Sequence, residues 1–345
     1  MAVLKINIEE FLELAKHHPV FDVRSPGEYN HAHIPGAHSL PLFSDEERKV
    51  VGTTYKQQSR EAAIKIGLDY FGPKMRSVVE TVETIIKSHS SRLILVHCWR
   101  GGMRSGAISW LLDLYGFKVY TLIGGYKKYR NYVLDTFKIP FQFNIIGGYT
   151  GSGKTELLKT LKEKGEAVID LEGIAKHKGS AFGSIGMPQQ PGQEMFENNL
   201  AKELLTTMTD GREPITSSVT ANGQPKSDNP IWLEDESQRI GQVNLPKDLW
   251  ENMRRSPVYF LDIPFEERLG HIVQEYGKLD PEKLVDAIGR ITQKLGNLNA
   301  KTAISLLNEG KIRESFDILL NYYDKFYFKS LHNRESINSL LHTIE

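Results

Sequence analysis

Short runs of contiguous apolar residues, each closed by glycine, proline or polar positions, alternate along this chain with stretches whose apolar residues recur every three or four positions. The first pattern belongs to strands buried on both faces, the second to helices with one buried stripe. In the first third, residues 19–23, 93–96 and 119–122 predict strands, with helical stretches between them. One such stretch, after residue 102, places Ile108, Leu111, Leu112 and Tyr115 on a single face. Strands that take turns with helices need crossover connections, so this region predicts a parallel α/β sheet closing near Gly124 and Gly125. Residues 126–138 follow as a helix in which Lys127, Lys128, Arg130 and Lys138 stand against the single acid Asp135. Strand-like runs return at 141–146, 168–171 and 258–263, separated by glycine-rich polar loops, and from about residue 266 the chain reads as helical with mixed charge. The expected organisation is a first α/β domain at 1–125, a basic connecting helix at 126–140, a second α/β domain at 141–265 and a helical C-terminal region at 266–345.

At 345 residues and 40% apolar content, the chain can build two ordinary cores. Lysine plus arginine equals aspartate plus glutamate at 43 each, so no global charge draws in a polyanion. A local patch such as Lys127, Lys128 and Arg130 can still meet nucleic-acid phosphates. One cysteine excludes intrachain disulfides and any cysteine-rich zinc site, and it fits a reducing cytoplasm. Residues 1–14 carry Glu9, Glu10 and Glu13 on an amphipathic pattern, and no run of about 18 apolar residues occurs. The expectation is a cytoplasmic protein with no signal peptide and no membrane partner.

That cysteine, Cys98, opens the run Cys98-Trp99-Arg100-Gly101-Gly102-Met103-Arg104-Ser105 between a strand and a helix. Gly101 and Gly102 let backbone amides turn inward, the following helix adds partial positive charge at its N-terminus, and Arg100 and Arg104 add full charges. Such surroundings bring a thiol from about 8.5 down to roughly 3.5–7.5, so Cys98 reads as a reactive thiolate in an anion-holding loop that includes Met103 and Ser105. A merely buried cysteine has no use for two arginines and two glycines at a strand-to-helix junction.

A second anion site is written at Gly148-Tyr149-Thr150-Gly151-Ser152-Gly153-Lys154-Thr155, a phosphate-loop pattern set between an apolar strand and a helix that carries Leu157, Leu158 and Leu161 on its buried face. Its amides would cradle two linked phosphates, Lys154 would neutralise them, and Thr155 would offer a hydroxyl to Mg²⁺. The pattern specifies a polyphosphate and leaves its organic part open. For the metal's carboxylate the first expectation is Asp170 at a strand end, then Asp262, then Glu234 or Asp235. The glycine-rich loop 178–186, with Phe182, suits close approach of a base or an apolar chain, and Phe182 and Met187 are candidates to seat the latter.

Asp22-Val23-Arg24-Ser25-Pro26-Gly27-Glu28-Tyr29, followed by His33-Ile34-Pro35-Gly36-Ala37, resembles the signature of rhodanese-type sulfurtransferase domains, with Cys98 in the position of their persulfide-forming cysteine. Five residues separate Cys98 from Arg104, one more than in typical members, which implies a wider loop and a larger anion. A rhodanese-like parallel-sheet domain joined to a P-loop NTPase-like α/β domain with a helical C-terminal region is similar to the bacterial tRNA 2-selenouridine synthases. Further agreement lies in Val51-Gly52-Thr53-Thr54-Tyr55-Lys56, Gly179-Ser180-Ala181-Phe182-Gly183 and Glu234-Asp235-Glu236-Ser237. The resemblance implies a transferase acting on tRNA that carries wobble 2-thiouridine. Geranyl diphosphate would give an S-geranyl intermediate, and selenophosphate, supplied by a selenophosphate-producing enzyme, would replace the geranylthio group by selenium. Mg²⁺ would accompany the diphosphate.

Two rival enzymes share parts of this sequence. Histidine and cysteine, five residues, then arginine and serine also marks cysteine-dependent phosphatases, here fused to a nucleotide-binding or kinase domain, but the run from Asp22 to Ala37 resembles rhodanese instead. An ATP-dependent tRNA sulfurtransferase would want further cysteines to resolve a persulfide, and the chain has none. A tRNA-binding module with a dead rhodanese domain would be expected to lack Cys98.

Overall fold

The apolar runs of the N-terminal region lie side by side because each must be covered on two faces. In the computed structural model, which describes residues 3–87, 91–209 and 230–344, they are β1 (Leu4–Ile6), β2 (Val20–Asp22), β3 (His38–Ser39), β4 (Leu93–His97) and β5 (Lys118–Leu122). The helices between and after them are α1 (Ile8–Ala15), α2 (Pro26–His31), α3 (Asp45–Gln57), α4 (Arg60–Phe71), α5 (Met75–Ile86), α6 (Met103–Leu114) and α7 (Gly125–Thr136). Strand order is β1-β5-β4-β2-β3 with every pairing parallel, which puts β4 in the middle. Ile94, Leu95 and Val96 of β4 are fully buried, the reason its sequence is continuously apolar rather than alternating. Phe21, Ile108, Leu112 and Phe117 complete this core, and burying each such side chain stabilises by about 1.5–3 kcal/mol.

The chain divides into two units, Met1–Thr136 and Phe137–Glu345. Helix α7 therefore belongs to the first unit instead of standing as a connector from residue 126. The cause is visible in its own stripe: Tyr126, Tyr129 and Val133 are buried at helical spacing, while Lys127 and Lys128 are exposed.

The second unit is built from β6 (Phe143–Gly148), α8 (Lys154–Glu163), α9 (Leu171–Ala175), α10 (Gln193–Thr209), β7 (Ile231–Glu234), β8 (Arg239–Ile240), β9 (Val243–Asn244), α11 (Lys247–Arg254) and β10 (Val258–Leu261). It continues through α12 (Phe265–Tyr276), α13 (Pro281–Leu295), α14 (Asn297–Asn308), α15 (Ile312–His332), α16 (Ile337–Leu340) and β11 (Leu341–Ile344). Its parallel sheet runs β11-β10-β6-β7, and β8 and β9 pair as a small antiparallel ribbon. Three expectations change here. The run 168–171 makes only a bridge from Val168 to Trp232, because Asp170 turns the chain by capping α9. The C-terminal region is not all helical, since β11 returns to the sheet beside β10. Phe182 is no ligand platform: it is buried against Tyr276 and Phe316 in the core of the C-terminal helices. Among the described residues, no helix is long and apolar enough to cross a membrane.

Candidate functional site

The first site begins where β4 ends and α6 starts. Cys98 is free and only 3% exposed. Its Sγ accepts the Gly102 N–H at 3.3 Å and lies 3.3 Å from the Ser105 hydroxyl. Burial alone would push this thiol up, but hydrogen bonds from the Ser105 hydroxyl and from the amides of Ser105, Arg100 and Gly102 outweigh it and bring the thiol below its ordinary value. Amides can converge on sulfur only if the matching carbonyls find donors elsewhere. Helix α7 supplies them, Tyr126 N–H donating to the Cys98 carbonyl at 2.8 Å and Lys127 N–H to that of Trp99 at 3.0 Å. This docking requires glycine at 125, where φ is +57° and a Cβ would stand 2.3 Å from the Cys98 carbonyl oxygen. The Gly124-Gly125 pair is thus part of the site.

Arg104 is aimed by Glu28, whose carboxylate accepts its guanidinium at 2.6 Å and that of Arg48 at 2.9 Å. Burial opposes the Glu28 charge, yet the hydrogen bond and charge of Arg104 hold it below the usual carboxylate range. Arg100, Gly102 and Met103 are exposed at the rim and Gly101 is half-buried. Beneath the loop, the buried pair Asp22 and Arg24 ties β2 to the Ala32 carbonyl, and the Arg24 guanidinium lies 3.7 Å from the Tyr126 ring centroid. His97 is fully buried, and desolvation lowers its pKa and favours the neutral ring. The Asp22 to Ala37 motif thus braces the sheet through Asp22 and Arg24 and reaches the anion loop through Glu28.

The lowered thiol gives a direct expectation. The rate of Cys98 alkylation by iodoacetamide should fall as pH drops through a midpoint that lies below that of an ordinary thiol. Ser105→Ala should move the midpoint of that profile upward, and an unmoved midpoint would remove Ser105 from the thiolate's support.

The second site lies between β6 and α8. Gly148, Gly151 and Gly153 all have positive φ, and Cβ atoms on the first two would stand 2.5 Å from the Ser152 Oγ and 2.9 Å from the Arg268 carbonyl. Ser152 Oγ is buried without a partner, as befits a loop shaped to receive an anion. Lys154 Nζ rests on the carbonyls of Gly148 and Tyr149 at 2.9 and 3.2 Å. The loop is braced from the C-terminal helices: the Tyr327 hydroxyl accepts the Gly148 N–H at 3.1 Å and donates to Asp235 at 2.8 Å, while Arg268 pairs in bidentate fashion with Asp324 and donates to the Thr150 carbonyl.

The carboxylate that meets Thr155 is Glu234, its Oε1 accepting the hydroxyl at 2.9 Å. Asp170, the first expectation, is exposed and spends an oxygen on the Gly173 N–H at 2.8 Å as the cap of α9. Asp262 is exposed, and Asp235 is held by Tyr327 and Arg334. Glu172, Glu234 and Glu236 bring carboxylate oxygens within 4.8 Å of one another. Burial, then the Glu234 charge, pushes Glu172 up to about 7, and burial with the charge of Glu172 raises Glu236 as well. Lys154 alone does not balance three carboxylates, and hard oxygen donors beside a phosphate loop suit Mg²⁺. The cavity at this loop has a volume of about 510 Å³ and also takes in Lys159, Lys178 and His271.

Comparisons with known proteins cover both regions. The profile of the tRNA 2-selenouridine synthase AAA domain matches residues 141–341, and that of the rhodanese-like domain matches residues 7–132. The tRNA 2-selenouridine synthase of Nitrosomonas europaea is 34% identical over 305 residues, covering 87% of this chain and 73% of that protein. That of Hydrogenovibrio crunogenus is 34% identical over 345 residues, covering 90% and 89%. That of Bdellovibrio bacteriovorus is 36% identical over 263 residues, covering 75% and 64%.

Proposed function

The chain belongs to the tRNA 2-selenouridine synthase family, and from that premise we propose that it makes 2-selenouridine from wobble 2-thiouridine in two steps, one at each anion cradle. The observation that carries this division is the difference between the cradles: one has the Cys98 sulfur among inward amides, the other a lysine, a threonine and a carboxylate cluster but no thiol. In the first step the thiocarbonyl sulfur attacks C1 of geranyl diphosphate, the C1–O bond breaks and diphosphate leaves. The amides of Gly151, Ser152 and Gly153 with Lys154 would stabilise that leaving group. Mg²⁺, held by Thr155 and Glu234 with Glu172 and Glu236 beside them, would supply further neutralisation when bound.

In the second step selenophosphate occupies the Cys98 cradle, its oxygens on the loop amides, Arg100 and Arg104. Attack of the thiolate on phosphorus forms an S–P bond and breaks P–Se, releasing selenide with its electron pair. Selenide attacks C2 of the base, C2–Se forms, and geranylthiolate departs with the electrons of C2–S. Water then cleaves the S–P bond to give phosphate, and no oxidant is needed. Attack on selenium itself would instead have to reduce phosphorus. The wider loop, with five residues between Cys98 and Arg104, suits a tetrahedral anion.

Mass spectrometry of nucleosides tests this order. Thiolated tRNA with protein, Mg²⁺ and geranyl diphosphate should yield the S-geranyl nucleoside, and added selenophosphate should convert it to selenouridine. Unchanged nucleoside beside phosphate release from an aryl phosphate would favour the phosphatase reading.

For tRNA we assign a contact to the exposed face of α7. Lys127→Glu with Lys128→Glu should weaken tRNA binding and reduce the slope of log affinity against log salt by roughly 1–2, since each phosphate left unneutralised removes about 0.7–0.9 from that slope. An unchanged slope would exclude this face. Arg130 is half-buried on the same helix and is left in place to preserve the fold.

A further inference from the structure

Beside the thiolate loop, the first unit contains a cavity of about 700 Å³ walled by α3 and α4. Its lining is chiefly apolar, with Phe43, Val51, Ile64, Leu68, Phe71 and Met103 facing it, and Arg100 and Arg104 stand in its wall as well as in the anion loop. Leu68 is 57% exposed and Tyr55 and Met103 are each 52% exposed. Large apolar side chains left in water around one hollow mark a ligand seat. Of this lining a tetrahedral anion would use Arg100 and Arg104 and none of the apolar surface.

We propose that this cavity seats the prenyl chain of the S-geranyl base during selenation, an inference that rests on the two-step reading above. The chain is covalently joined to the sulfur that leaves C2, so it must lie next to the loop where selenium is set free. The cavity and that loop share Arg100, Met103 and Arg104, which places an apolar channel against the reacting atoms. Ile64 and Leu68, four residues apart on α4, present one apolar strip along it. At its rim, Arg100 and Arg48 carry positive charge where the departing geranylthiolate develops negative charge before taking a proton from water. An aliphatic floor with a cationic rim is complementary to an isoprenoid thiolate and poorly suited to a hydrophilic donor.

Leu68→Glu and Ile64→Glu test the seat with the full-length protein and tRNA geranylated beforehand. Each should lower kcat/KM for conversion to selenouridine by about tenfold or more, since one such side chain buried against a ligand is worth that factor. Geranylation of thiolated tRNA should stay unchanged. The unmodified protein should prefer S-geranyl over S-methyl substrate, and the variants should lose that preference, which misfolding would not produce. Tyr55→Ala, a truncation at an exposed position, should erode the same preference if a glutamate variant fails to fold. If all variants convert geranylated tRNA with normal rate and chain-length preference, the seat is wrong while the two-step reading stands. Lost geranylation with normal conversion of pre-geranylated tRNA would also overturn it, placing the prenyl donor there instead. If the unmodified protein leaves geranylated tRNA unconverted, the two-step reading fails and the seat with it.

Discussion

Cys98→Ser should abolish selenation while leaving geranylation at its normal rate, so that S-geranyl nucleoside accumulates in tRNA incubated with every substrate. The expected fall is about a thousandfold or more, the scale on which removal of a covalent nucleophile is measured. Serine fits the space and can still take the Gly102 amide, but its hydroxyl stays protonated where the thiol ionises. Everything around Cys98 lowers the cost of its negative charge: the Ser105 hydroxyl, the inward amides, and the α7 N-terminus that takes the carbonyls away. A hydroxyl gains little from those groups because it never carries the charge they face. Nucleoside mass spectrometry reads both steps in one sample. Equal loss of geranylation would mean that one site performs both reactions, and unchanged selenation would leave the thiolate as a bystander.

The candidate residues of both cradles stand out in the sequence because each set sits at a strand-to-helix junction whose apolar run, glycines and cations are contiguous. Cys98 to Ser105 and Gly148 to Thr155 are local devices, and local devices can be read. Their supports come from far along the chain. Glu28 completes a capping box with Ser25 on its own helix, and its hold on Arg104 spans 76 residues and arises only on folding. Tyr327 and Arg268 reach the phosphate loop from a region that reads in sequence only as helical with mixed charge. Asp170 also caps α9 through the Gly173 amide, a role that a strand-end aspartate does not announce, and its charge still reaches Glu172 and Glu234. Glu234, ranked third from the sequence, lies on the four-residue β7, and it is the pairing of β7 with β6 that brings it to Thr155. The α7 stripe was legible as helix, yet its lysines are more conspicuous in sequence than the tyrosines that anchor it.

Lys154→Ala should block the other step. With thiolated tRNA and geranyl diphosphate, formation of the S-geranyl nucleoside should fall by about a hundred- to a thousandfold, the usual loss on removing one charged or hydrogen-bonding stabiliser of a leaving anion. Selenation of tRNA geranylated beforehand should be unaffected, because the Cys98 cradle is built wholly from the first unit. The loop itself should survive the change: its shape is set by Gly148, Gly151 and Gly153 and braced by Tyr327 and Arg268, whereas Lys154 only rests on two carbonyls. A thermal melt close to that of the unmodified protein would verify this. Glu234→Gln offers the companion measurement, since it keeps the hydrogen bond to Thr155 and removes charge. It should raise the Mg²⁺ concentration needed for geranylation, while Lys154→Ala should lower the rate at saturating Mg²⁺. A normal geranylation rate in Lys154→Ala would sever the phosphate loop from the prenyl step, and loss of selenation in that variant on pre-geranylated tRNA would assign the loop to the second reaction instead.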